Sequence, residues 1–94
     1  MPLFFVLFTG YTYESEICYE EKINYNGQGH DIGLTPGVAT AENCQVKCQQ
    51  NDQCLFWTYC TLDWCKENCF LKSGKSNVEP SSSSISGPRY CPGN

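Results

Sequence analysis

Apolar positions along this chain recur at two different periods. From Ala41 to about Gln50 no glycine or proline interrupts the sequence, and Ala41, Cys44 and Cys48 fall on one face at helical spacing. Thr40 is a good N-cap, Glu42 places a negative charge where the helix dipole favours it, and Asn51-Asp52 supplies the stop. The pattern predicts one helix of roughly ten residues, marginal alone, whose two cysteines would rivet its buried face to a neighbour. From Cys54 to Cys60 the period is two, with Leu55, Trp57 and Tyr59 on one side and Phe56 and Thr58 on the other, as in a strand. Asn68 to Lys72 reads as its partner. Ile17-Cys18-Tyr19 is strand-like, and Ile85-Ser86-Gly87-Pro88 leads to a last strand holding Tyr90 and Cys91. Residues 24–37, NYNGQGHDIGLTPG, hold four glycines and a proline and predict a loop. Residues 73–77 predict a turn, and Glu79 to Ser84 (EPSSSS) a mobile polar loop. No internal repeat is visible. One helix against several short antiparallel strands makes an α+β domain.

Length and composition narrow the chemistry. Ninety-four residues make one domain with a thin core, and eight cysteines in so short a chain mark a disulfide framework in an oxidising compartment. The stretch CLFWTYCTLDWCKENC, residues 54–69, concentrates half of those cysteines and both tryptophans. A metal site, a redox site or a disulfide-pinned scaffold could each explain it. No C-x-x-C occurs, which removes the thioredoxin-like motif. Cys44/Cys48 and Cys65/Cys69 could imitate paired zinc ligands, yet four cysteines would remain unexplained. The single histidine, His30, lies in a glycine-rich stretch and reads as solvated. Without a Gly-x-Ser-x-Gly elbow, a second histidine or a D-x-D-x-D-G pattern, the chain does not read as an enzyme, and no cofactor is expected.

Net charge is −4 with six basic residues, which argues against nucleic acid or an anionic membrane as partner. Glu14, Glu16, Glu20 and Glu21 read as a solvated acidic flank. Pro2 to Phe8 is an apolar run far shorter than the roughly 20 residues of a membrane span. It also lacks the basic start and cleavage site of a signal peptide. It reads as part of a segment cut from a longer chain, expected to be an edge strand or a partner-seeking tail, and no membrane insertion is expected.

The ordered set ATAENCQVKC (39–48), CLFWTY (54–59), CFLK (69–72) and Ile85-Ser86-Gly87 before Cys91 resembles the PAN/apple domain family, most like the apple domains of apicomplexan micronemal adhesins. The resemblance spans about residues 18 to 91. It implies a small disulfide-rich fold with one helix packed on a short antiparallel sheet, a flanking or linker segment over residues 1–14 and a single domain over 15–94. It further implies the bridges Cys18–Cys91, Cys44–Cys69 and Cys48–Cys54, where spacing alone leaves roughly a hundred pairings open. Cys60 and Cys65 lie outside the family pattern and most simply pair with each other.

Trp57 and Tyr59 fall where the family places core aromatics. Trp64, between Asp63 and Lys66 in a turn flanked by cysteines, either folds back over the core or serves, with Asp63 and Lys66, as a contact for a sugar face or a protein hot spot. The resemblance implies a secreted adhesion module, in a secretory organelle such as the microneme if parasite-derived. It would bind a host-cell glycan or protein receptor as one unit of a multi-apple chain. The alternative it offers is a docking module holding a protease or another extracellular partner, as in plasma zymogens.

Overall fold

The computed structural model describes residues 18–26 and 30–92. Pro2–Phe8, Glu14 and Glu16 lie outside that range. Five strands, β1 (Glu20–Asn26), β2 (Asp31–Thr35), β3 (Phe56–Cys60), β4 (Cys69–Lys72) and β5 (Asn77–Pro88), form one antiparallel sheet in the order β1-β5-β3-β4-β2. A single helix, α1 (Ala41–Gln49), packs on β3 and β4, and a one-turn 3₁₀ helix (Asp63–Cys65) joins those two strands.

The helix starts where its sequence says it should. Thr40 is extended, and its Oγ1 accepts a hydrogen bond from the Asn43 amide at 3.0 Å, satisfying one of the free N–H groups of the first turn. Ala41, Cys44 and Cys48 face inward. Cys44–Cys69 ties the helix to β4, and Cys48–Cys54 ties it to the lead into β3. These sulfurs replace aliphatic bulk in a core completed by Val38, Trp57, Tyr59 and Leu71. Tyr59, buried beneath the chain entering the helix, donates its hydroxyl to the Val38 carbonyl at 2.6 Å. The other two bridges are Cys18–Cys91, across the ends of the domain, and Cys60–Cys65, across the 3₁₀ turn.

Several elements differ from their sequence reading. The glycine-rich stretch 24–37 supplies the end of β1 and the whole of β2 rather than one loop. Both are edge strands, which need only one partner and tolerate glycine and charge. Glu20 and Glu21 sit in β1, whereas Cys18 and Tyr19 precede it. EPSSSS is the middle of β5, and Tyr90 and Cys91 lie beyond its end. The serines fall where the β1 ladder slips from Ile85 to Pro80, and they are satisfied locally: the Ser83 carbonyl accepts from the Thr61 amide at 2.8 Å, and the Ser81 and Ser84 hydroxyls meet at 2.9 Å. Ser86 shows how: at 0% exposure its Oγ donates to the Ile23 carbonyl at 2.8 Å, accepts from the Tyr25 amide at 3.2 Å and meets Thr58 Oγ1 at 2.7 Å. It thereby ties down the register shift between Glu21 and Ile23, where Ser81–Ser84 of β5 stand against the single residue Lys22, whose φ is 62°.

Two phenols near β1 make the fold sensitive to alkali. A hydrogen bond to Glu42, then burial, pushes the Tyr19 hydroxyl up to about 12. Burial, then a hydrogen bond to Glu20, does the same to Tyr25. Both pKa values are raised on folding, so the stability they confer is complete below the ordinary value of 10.0 and is lost as pH rises through about 12. Denaturant midpoints measured across that window should fall steadily, and Tyr25→Phe should flatten the fall. A midpoint independent of pH there would contradict the assignment.

Candidate functional site

Strand alternation divides the sheet's side chains between two surfaces. Trp57, Tyr59, Cys69 and Leu71 point to the helix, so Thr58, Cys60, Phe70 and Lys72 must point the other way. On that second face all five strands contribute to a concave cavity of about 330 Å³. Asn24 and Asn26 come from β1, Asp31 from β2, Thr58 from β3, Phe70 and Lys72 from β4, and Ser81, Ser83 and Ser84 from β5. Trp64 and the Cys60–Cys65 bridge close one end. The lining is amide, hydroxyl and aromatic, and its volume sits at the small end of the roughly 300–1,000 Å³ typical of ligand pockets.

One ion pair crosses the lining. Lys72 and Asp31 face each other across β4 and β2, with Lys72 Nζ 2.6 Å from Asp31 Oδ1. The lysine is 5% exposed and its ammonium lies 5.8 Å from the Phe70 ring centre, whereas the Asp31 side chain is 62% exposed. Removing an ammonium from water is costly without a partner, so Asp31 is what allows Lys72 to sit in the sheet. At the edge of the cavity Asn26 Nδ2 donates to Glu79 Oε2 at 2.9 Å.

The turn carrying Trp64 is held from several directions. Backbone hydrogen bonds run from the Glu67 amide to the Cys60 carbonyl at 2.8 Å and from the Cys60 amide to the Asn68 carbonyl at 3.0 Å. Asp63 and Glu67 have φ of 66° and 68°, a left-handed conformation that costs a non-glycine residue roughly 1–2 kcal/mol each. The bridge between buried Cys60 and Cys65 offsets that cost by constraining the unfolded chain. What the turn presents is an indole 86% exposed, so Trp64 does not fold back over the core. Asp63 and Lys66 flank it, both exposed, and neither lines the cavity. His30, also exposed, lies outside the cavity, with its ring against Gly74. Among the described residues, no group of three or more His, Cys, Asp or Glu is placed to hold a metal ion, and no helix is long and apolar enough to cross a membrane.

Asp31, Lys72, Asn24 and Asn26 were not legible as a group because they meet only through the strand order. The alternation Cys69-Phe70-Leu71-Lys72 was the one available signal, since it sets Lys72 on the face opposite the core. The profile of the PAN domain matches residues 18–91. No curated protein matches the chain.

Proposed function

The chain belongs to the PAN domain family, and we propose that it works as an extracellular adhesion module that binds carbohydrate through the cavity walled by Trp64. PAN domains bind protein or carbohydrate, and the four disulfides together with the family mark an extracellular module. The observation that carries the sugar reading is the exposure of Trp64 on the wall of a polar concave surface. An indole face held by a rigid turn suits the apolar face of a sugar ring, while the amides and hydroxyls around it suit the hydroxyls. Asp63 and Lys66, on either side of the indole, would contact parts of a longer glycan outside the cavity. The sequence resemblance to micronemal apple domains supports host-cell attachment as the setting, with residues 15–94 as one unit and residues 1–14 as flank or linker.

The test is a glycan array probed with the oxidised domain and with Trp64→Ala. Binding by the parent should fall roughly tenfold or more in the variant, while its thermal unfolding is unchanged. Binding that survives the substitution would place the sugar elsewhere. No binding by the folded parent would favour the docking role, in which Trp64 and half-exposed Leu62 on the same turn would anchor a protein partner.

A further inference from the structure

We propose that this site selects uncharged, hydroxyl-rich saccharides over sialylated or sulfated ones, and that the Asp31–Lys72 pair is the element that selects. The proposal rests on the carbohydrate reading above and goes beyond it in assigning the chemical class.

Asp31 and Lys72 are the only charged side chains lining the cavity among the described residues, and their formal charges cancel across 2.6 Å. Lys72 is buried along its length, so its ammonium cannot swing out to meet an anion. A carboxylate or sulfate reaching for it would be brought against the Asp31 carboxylate. It would also approach Glu79, which holds the cavity residue Asn26, on a chain whose net charge is −4. Like charges this close in a partly desolvated cavity repel strongly.

A sugar hydroxyl meets no such penalty, because it donates and accepts. Lys72 has three N–H donors, of which one goes to Asp31 Oδ1, and Asp31 Oδ2 accepts nothing among the described residues. Adjacent hydroxyls on a ring match that adjacent acceptor and donor: one donates to Asp31 while its neighbour accepts from Lys72. Hydrogen bonds to charged partners are about twice as strong as neutral ones, so the pair reads hydroxyls more strongly than serines and asparagines would alone. The aromatic groups Trp64 and Phe70 then contact the ring's C–H face.

The experiment uses the oxidised domain on an array presenting each oligosaccharide bare and in sialylated or sulfated form. Three proteins are compared: the parent, Asp31→Asn and Lys72→Met. The parent should prefer the bare forms. Asp31→Asn leaves the Lys72 charge without its partner, and it should lose roughly tenfold on bare forms and gain on the charged ones. Lys72→Met keeps most of the buried stem while removing the charge, and should show the loss without the gain. Thermal unfolding checks that each variant is folded, and Asp31, being largely exposed, is the safer of the two substitutions. Binding confined to charged glycans, or a preference unmoved in a folded Asp31→Asn, would overturn the proposal while leaving the carbohydrate reading standing. Failure of the folded parent to bind any saccharide would overturn both.

Discussion

Replacing Cys18 and Cys91 together by serine is expected to lower stability by about 4.5 kcal/mol, the largest loss available from any one bridge. The two residues stand 73 apart in sequence, yet their Cα atoms are 5.5 Å apart, because β1 begins just after one and β5 ends just before the other. Those strands pair from Glu20 opposite Ser86 to Asn26 opposite Asn77, so the bridge closes a ladder already in register. Its contribution is therefore chiefly the freedom it takes from the unfolded chain, which grows with loop length. Cys60–Cys65, five apart, should contribute only about 2 kcal/mol by the same arithmetic. Set against the roughly 5–15 kcal/mol that holds a typical domain together, the first loss approaches global unfolding and the second does not. Urea unfolding of Cys18→Ser/Cys91→Ser beside Cys60→Ser/Cys65→Ser measures the difference. Equal losses would mean that loop length does not govern these bridges.

Trp57→Ala should be nearly as damaging, costing about 4 kcal/mol. The indole is 0% exposed, donates Nε1–H to the Pro88 carbonyl at 2.8 Å and meets the Tyr19 ring edge-on at 5.8 Å. Its fit is close enough to dictate a neighbour, because a Cβ at Gly87 would stand 2.8 Å from Trp57 Cζ2 and 2.9 Å from Tyr19 Cβ. Truncation removes this volume and the shorter of two hydrogen bonds to the Pro88 carbonyl, leaving only Gln45 Nε2 at 3.2 Å. The walls cannot close on the gap, since Cys44–Cys69 and Cys48–Cys54 pin the helix above it. Denaturant unfolding should show the loss, and Trp57→Phe, which refills most of the space, should recover much of it. A loss under about 1 kcal/mol would show that the core relaxes instead.

The contrast between Trp57 and Trp64 indicates how far the sequence could be read. Trp57 belongs to an alternating run, and alternation assigns a side chain to a surface without knowledge of the neighbours. Helix α1 was legible for the same local reason: cap, first-turn acid and inward face all lie within a dozen residues. β1 and β2 were hidden because each carries only two alternating apolar residues, Ile23 and Tyr25 in one and Ile32 and Leu34 in the other, set among Asn, Gly and Asp that read as turn. β5 was hidden because the face its serines turn toward is itself polar, so period-two burial never shows as period-two hydrophobicity. Trp64 could be singled out from its cysteine-flanked turn, but sequence gave no preference between core and surface. The left-handed backbone at Asp63 and Glu67, which presents the indole outward, is a tertiary outcome. Asp31 and Lys72 stand 41 apart and face one another only through the β2–β4 register, which composition does not encode.

The strand order has a consequence for how the protein is made. β5, at twelve residues the longest element, lies between β1 and β3 and is the last to be synthesised. While the chain is still emerging, α1, β3, β4 and β2 can assemble through nearby contacts, but the first strand has no place to go until residue 88 is available. Three of the five strands are thus paired early and the other two in a single late step joining the two ends of the domain, the kind of distant pairing that slows folding. Through that interval Cys18 lacks its native partner, because Cys91 lies beyond the end of β5. Native pairing therefore requires Cys18 to stay available until Cys91 has followed the last strand.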